Sequence, residues 1–238
     1  MGQWIQLDTP HGTVAAWQAL AGTPPRAGLV VIQEIFGANP HIRAVAEGYA
    51  AEGYAVLAPA FFDPVEPGVE LGYDAAGFAR GRELAGRLGL DAALAIVRAA
   101  AERLAGIVDA AHGGCREAGA AGIGTVGYCW GGTVAMLSAL RLGLPSVSYY
   151  GARNAGFLDD PALVAAPRAP VMFHFGERDA SIAPEAVAAH RRALPAMPVF
   201  TYPADHAFNR DVDPKAYHAP SAALARERSL AFFAEHLR

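Results

Sequence analysis

What the 238-residue chain lacks narrows its function before any motif is considered. It has two cysteines, Cys115 and Cys129, too few for the disulfide framework that small secreted domains rely on. It has no basic run and no basic patch interleaved with aromatics, and its formal net charge is −4. Nucleic acid and anionic membrane are therefore not expected partners, since both are bound through clustered Lys and Arg. Long uncharged apolar runs are also missing. The alanine-rich stretch from Leu84 to Ala111 is interrupted by Arg87, Asp91, Arg98, Glu102, Arg103 and Asp109, whereas a membrane-spanning helix needs about 20 mostly apolar residues in succession. Met1 to Gln6 carry neither the basic start nor the apolar core of a signal peptide. The expectation is a soluble cytoplasmic protein. With no repeat, linker or low-complexity tract, residues 1–238 are expected to form a single domain.

What is present is apolar sequence in short pieces. Apolar residues make up 53% and charged residues 18%, the balance of a chain that can bury a core. Ile5 to Leu7 and Val14 to Ala19 flank Asp8-Thr9-Pro10-His11-Gly12, which predicts a β-hairpin. Continuous apolar runs follow at Gly28–Ile32, Tyr54–Ala58, Gly124–Tyr128, Ser146–Tyr150, Pro170–Phe175 and Val199–Tyr202. Runs of this kind suit strands covered on both faces. Helix-like segments alternate with them: His41–Glu52, roughly Gly77–Glu117, Gly132–Leu142, Pro184–Leu194 and Ser221–His236. Strand alternating with helix predicts an α/β fold, a mostly parallel central sheet flanked by helices on both faces.

In such sheets ligands bind beyond the carboxyl ends of the strands. Four segments there carry chemistry: Gln33-Glu34-Ile35-Phe36-Gly37, Cys129-Trp130-Gly131-Gly132, Gly176-Glu177-Arg178-Asp179 and Asp205-His206. Gly127-Tyr128-Cys129-Trp130-Gly131 follows a strand and opens a helix. It is a Gly-x-nucleophile-x-Gly turn with cysteine at the centre. The turn is sharp, so its flanks have no room for side chains. A nucleophile at a helix N-terminus sits where the dipole favours thiolate, and the backbone N–H of Trp130 is placed to meet an oxyanion. A buried structural cysteine is the competing explanation for Cys129 alone. The glycines do not match a dinucleotide fingerprint, lacking the Gly-x-Gly-x-x-Gly spacing and a later acidic residue.

Asp179 lies 50 residues beyond Cys129, and His206 a further 27. Nucleophile, acid, histidine is the chain order of α/β-hydrolases. In that arrangement the histidine takes and returns a proton while the carboxylate fixes its tautomer. His174 and His206 lack the spacing of a metal site, so no metal and no cofactor are expected.

Together with Tyr149-Tyr150-Gly151 and His206-Ala207-Phe208, these motifs resemble the dienelactone hydrolase (carboxymethylenebutenolidase) family across nearly the whole chain. The resemblance implies an α/β-hydrolase fold and a Cys129–His206–Asp179 triad. It implies that Glu34 holds or activates the resting thiol, and that the N–H groups of Ile35 and Trp130 form the oxyanion hole. It also implies two arginines that hold a substrate carboxylate. Arg210 fits one by its spacing from His206; Arg80, Arg82 and Arg87 compete for the other, with Arg82 chosen. The implied reaction opens an unsaturated lactone, such as a 4-carboxymethylene-butenolide, to a dicarboxylate. Trp130 stands where the family often has leucine, and Asp205 where it usually has glycine. The rival expectations are a cysteine-dependent carboxylesterase or thioesterase with an uncharged substrate, and a non-catalytic binding protein on the same fold. Cys115 is expected to be silent.

Overall fold

The computed structural model describes residues 2–113 and 122–237; Cys115 lies outside them. Among the described residues eight strands form one mixed sheet, in the spatial order Gln3–Thr9 (β1), Gly12–Ala19 (β2), Tyr54–Pro59 (β4), Ala27–Ile32 (β3), Ile123–Tyr128 (β5), Ser146–Tyr149 (β6), Val171–Gly176 (β7) and Val199–Tyr202 (β8). Backbone packing separates the chain into two compact units, Met1–Thr125 with His236–Arg238, and Val126–Glu235.

The first unit begins with the hairpin, β1 (Gln3–Thr9) and β2 (Gly12–Ala19). The strands run longer than the sequence pattern predicts, because the turn closes on Pro10 and His11 alone, with Thr9 paired to Gly12. The Thr9 hydroxyl donates to the Gly12 carbonyl at 2.7 Å and accepts the His11 N–H at 3.1 Å, which replaces ladder bonds at the tip. β3 (Ala27–Ile32) and β4 (Tyr54–Pro59) are parallel, and every residue of both is buried, as continuous apolar runs require. α1 (Pro40–Ala51) starts from Asn39, whose side chain accepts the Ile42 N–H at 3.1 Å, with proline at the first helical position.

The predicted long helix from Gly77 is two helices, α2 (Ala75–Leu88) and α3 (Leu90–Ala111). Gly89, at φ 75°, ends one and begins the other. That backbone region is inexpensive only for glycine. Leu84, Ala85 and Leu88 face inward on α2, and Leu94, Ile96, Val97 and Leu104 do so on α3. No helix among the described residues is long and apolar enough to cross a membrane.

β5 (Ile123–Tyr128) passes from the first unit into the second. There it leads into α4 (Trp130–Leu137), whose eight residues are all buried. The helical run continues as a π-helical turn, Ser138–Leu142, where the Ser138 hydroxyl donates to the Val134 carbonyl at 2.8 Å. β6 (Ser146–Tyr149), β7 (Val171–Gly176) and β8 (Val199–Tyr202) follow as parallel neighbours. A 3₁₀ turn at Asn154–Phe157 and a one-turn α5 (Pro161–Val164) were not expected; four residues are too short for periodicity to register. α6 (Pro184–Ala193) and α7 (Ala219–His236) complete the chain.

Candidate active site

The turn from β5 into α4 holds Cys129 at φ 55°, ψ −114°. A residue with a Cβ persists there only when its neighbours over-determine it, at a cost of order 1–3 kcal/mol. The determinants are visible. The Cys129 N–H donates to the Tyr149 carbonyl at 3.0 Å, and its own carbonyl accepts the Gly132 N–H at 3.0 Å. A Cβ on Gly127 would lie 1.9 Å from the Gly131 carbonyl oxygen, and one on Gly132 would lie 2.5 Å from that of Tyr149. Gly127 is sterically required, as the motif implied, and so is Gly132, one position beyond it. Trp130 is the first residue of α4, so its N–H belongs to the set that a helix leaves without intrahelical partners.

Asp179 and His206 come together in the same unit. His206 Nδ1 lies 2.6 Å from Asp179 Oδ2. The second carboxylate oxygen accepts the Ser181 N–H at 2.8 Å. The Asp179 side chain is fully buried, whereas His206 keeps 26% exposure; a buried carboxylate needs such partners to stay charged. The loops carrying the two residues are pinned by backbone bonds, Glu177 N–H to Tyr202 O at 2.8 Å and Arg178 N–H to Ala204 O at 3.0 Å. A Cβ on Gly176 would lie 2.4 Å from the Ala204 carbonyl oxygen, so that approach also needs glycine. Burial pulls the His206 pKa down, but its hydrogen bonds with Asp179 and Cys129, and the negative charge of both groups, outweigh burial and push it up to about 10.

Tyr150, in the Tyr149-Tyr150-Gly151 motif, carries no chemistry that its residue type announces, yet it lies beside His206. Its ring centroid lies 5.0 Å from that of His206, nearly edge-on. Among the described residues the non-glycine positive φ values are those of Cys129, Tyr150 (37°) and Ala207 (60°). All three belong to the immediate surroundings of the Cys129–His206 pair. Nothing in residue type signals this strain; only the glycines flanking Cys129 hinted at it.

Glu34, Ile35 and Arg82 belong to the first unit. Gln33 and Glu34 are buried at the end of β3, where the Gln33 side chain accepts the Phe61 N–H at 3.1 Å. α2 packs directly on this segment: a Cβ on Gly81 would lie 2.1 Å from the Ile35 carbonyl oxygen. The three competing arginines separate here. Arg80 pairs with Glu66 and Glu83, and Arg87 with Glu83 at 3.6 Å. Arg82 is exposed and has no carboxylate partner among the described residues; its guanidinium carbon stands 5.9 Å from the Phe78 ring centroid. Arg210, in the second unit, is buried and pairs with Asp213 at 3.2 Å.

The family model of the dienelactone hydrolase family matches residues 14–237. A carboxymethylenebutenolidase of Pseudomonas putida is 32% identical over 228 residues, covering 91% of this chain and 90% of that protein. In three dimensions, a dienelactone hydrolase-like promiscuous phosphotriesterase, P91, from metagenomic libraries matches with a TM-score of 0.76 at 19% identity, covering 100% of this chain and 99% of the other. A dienelactone hydrolase of Anabaena variabilis matches with a TM-score of 0.63 at 17% identity, over 100% and 99% of the two chains; both likenesses establish the α/β-hydrolase fold. The chain belongs to the dienelactone hydrolase family, and it is a hydrolase of carboxylic ester or lactone bonds.

Proposed function

We propose that the enzyme opens a lactone or cleaves an ester by covalent catalysis at Cys129, with His206 as proton carrier and Asp179 as the group that orients it. The observation that carries this reading is the 2.6 Å contact of His206 with Asp179, combined with the hydrogen bond of His206 to Cys129 on a strained elbow. The thiolate sulfur attacks the carbonyl carbon, and the carbonyl oxygen becomes an oxyanion that the Trp130 N–H meets. Collapse breaks the carbon–oxygen bond of the leaving alkoxide, which takes the proton from His206 Nε2. In a lactone the freed hydroxyl stays attached to the acyl group. Water then gives a proton to neutral His206 and attacks the thioester, expelling the thiolate and returning the thiolate–imidazolium pair; the carboxylic acid released loses its proton to solvent as a carboxylate.

Glu34, Ile35 and Arg82 keep the roles that the resemblance implies: restraint or activation of the thiol, an oxyanion N–H, and recognition of a substrate carboxylate. That Arg82 has no carboxylate partner among the described residues supports its role, since a guanidinium not already neutralised can take a carboxylate bidentately. The Asp213 partner of Arg210 favours a second reading, in which the substrate is an uncharged ester. A panel of lactones with and without a carboxylate, together with p-nitrophenyl esters, separates the two. Arg82→Ala weakens only the acidic substrates in the first reading and none in the second. Glu34 is tested by the pH dependence of Cys129 alkylation in Glu34→Gln. Overlay with wild type removes it from the mechanism.

A further inference from the structure

The second unit contains another polar cluster, fully buried, that the reaction steps do not use. His174 on β7 is 0% exposed. Its Nδ1 lies 2.8 Å from the Tyr202 hydroxyl and its Nε2 lies 3.1 Å from the Ser229 hydroxyl on α7. The Ser229 oxygen is also 2.8 Å from the Tyr149 hydroxyl and 2.8 Å from the Ala225 carbonyl. Arg228 Nη1 reaches the Tyr202 hydroxyl at 3.1 Å.

The two ends of this chain dictate its proton positions, because a guanidinium only donates and a carbonyl only accepts. Burial first, and the Arg228 charge second, drive the His174 pKa down to about 3, so the ring is neutral and has one donor and one acceptor. Ser229 gives its single proton to Ala225. Its oxygen must then accept from both Tyr149 O–H and His174 Nε2–H. That leaves His174 Nδ1 to accept from Tyr202 O–H, and the Tyr202 oxygen to accept from Arg228. Each bond runs one way, and one tautomer of His174 satisfies all of them.

The backbones of the same residues meet the elbow. The peptide joining Tyr149 to Tyr150 accepts the Cys129 N–H through its carbonyl at 3.0 Å and donates its N–H to the His174 carbonyl at 2.8 Å. One peptide plane is thus clamped between Cys129 and His174, and the side chains on either side of the clamp are tied through Ser229. We propose that His174, Ser229 and Tyr149 are positioning residues. Their network holds the peptide that fixes Cys129 in its left-handed conformation, and so sets the reactivity of the thiol without touching substrate. This inference rests on Cys129 being the nucleophile.

Ser229→Ala tests it, because it removes one hydroxyl from a site 100 residues from Cys129 in sequence and leaves Tyr149 and His174 without their shared acceptor. Folding is followed by circular dichroism, turnover by kcat and KM, and the free thiol by its alkylation rate against pH. The expected result is a folded enzyme with kcat lowered about tenfold, KM within about twofold, and a shifted alkylation profile, the pattern of a group felt in the transition state. Ser229→Thr, which keeps the hydroxyl, should retain most of the rate. If Ser229→Ala does not fold, Tyr149→Phe decides, since it deletes one donor and keeps the ring. A folded Ser229→Ala or Tyr149→Phe enzyme with wild-type kcat and an unchanged alkylation profile overturns the proposal. Cys129→Ala is run alongside: if it stays active, the nucleophile assignment fails, a different failure from an inert Ser229.

Discussion

The backbone around Cys129 is held at Tyr149 on one side and Gly132 on the other, with room for no side chain at Gly127. Arg82, on α2, is exposed with the Phe78 ring as its neighbour. The contrast fits the roles proposed for the two regions. A nucleophile must meet a carbonyl carbon along a narrow range of approach, so displacement of about 1 Å is costly. A guanidinium that recognises a carboxylate works through charge and a fork of donors, and a flexible side chain on a helix surface suffices. On the roles proposed for Cys129 and Arg82, reaction chemistry would be built where the fold tolerates least, and recognition where it tolerates most.

The contrast breaks most easily at Gly127. Gly127→Ala places a methyl group against the Gly131 carbonyl at the elbow. We expect activity to fall to background and stability to drop by about 1–3 kcal/mol, as overpacking does, measured by thermal melting and turnover. A fully active Gly127→Ala enzyme would show that the elbow has slack the geometry denies.

Next in size are the partners of Cys129. His206→Ala and Asp179→Asn should each lower kcat by about 10²–10⁴-fold with little change in KM. A decrease of less than about threefold, under ~1 kcal/mol of barrier, would remove either residue from the mechanism. The Asp179 variant also carries a pH signature. The folded-state pKa of His206 is raised, so the pairing stabilises fully below the unfolded imidazole value of about 6.5. It is lost as pH rises through the folded value of about 10. The stability gap between wild type and Asp179→Asn should therefore be wide at low neutral pH and close towards pH 10.

On the tolerant side, Arg82→Ala should raise KM for a carboxylate-bearing lactone about tenfold, ~1.4 kcal/mol, with kcat and neutral esters nearly unaffected. An equal loss on both substrate classes would remove Arg82 from carboxylate recognition. The smallest effect belongs to Ala207, which holds φ 60° beside His206. Ala207→Gly relieves that strain against the added entropy of the unfolded chain, for a net gain of up to about 1 kcal/mol in a melting experiment.

Much of the rigid region was legible in the sequence because its constraints are local. Gly127 announces a turn that excludes a Cβ atom, and the order of Cys129, Asp179 and His206 follows from the order of strand ends. The buried runs that became β3, β4 and β5 were legible for the same reason, since a strand covered on both faces needs apolar residues without alternation. Long-range partnership was not legible. His174 and Ser229 are 55 residues apart, and no periodicity links them. Among the arginines, the pairs of Glu83 with Arg80 and Arg87 follow helical spacing, but the reach of Glu66 to Arg80 across 14 residues does not. The break at Gly89 was missed because a lone glycine is tolerated inside a helix, and the flanking sequences are both helical in pattern.

Whether the acyl group passes through the sulfur of Cys129 is read from stoichiometric alkylation. Enzyme is treated with iodoacetamide, residual turnover is measured at intervals, and the modified residue is located and counted by mass spectrometry, with Cys129→Ala assayed in parallel. The expected result is activity lost in step with one modification at Cys129, and a folded Cys129→Ala enzyme slower by about 10³-fold or more. Full modification of Cys129 with activity intact, or a Cys129→Ala enzyme turning over near the wild-type rate, would contradict the account.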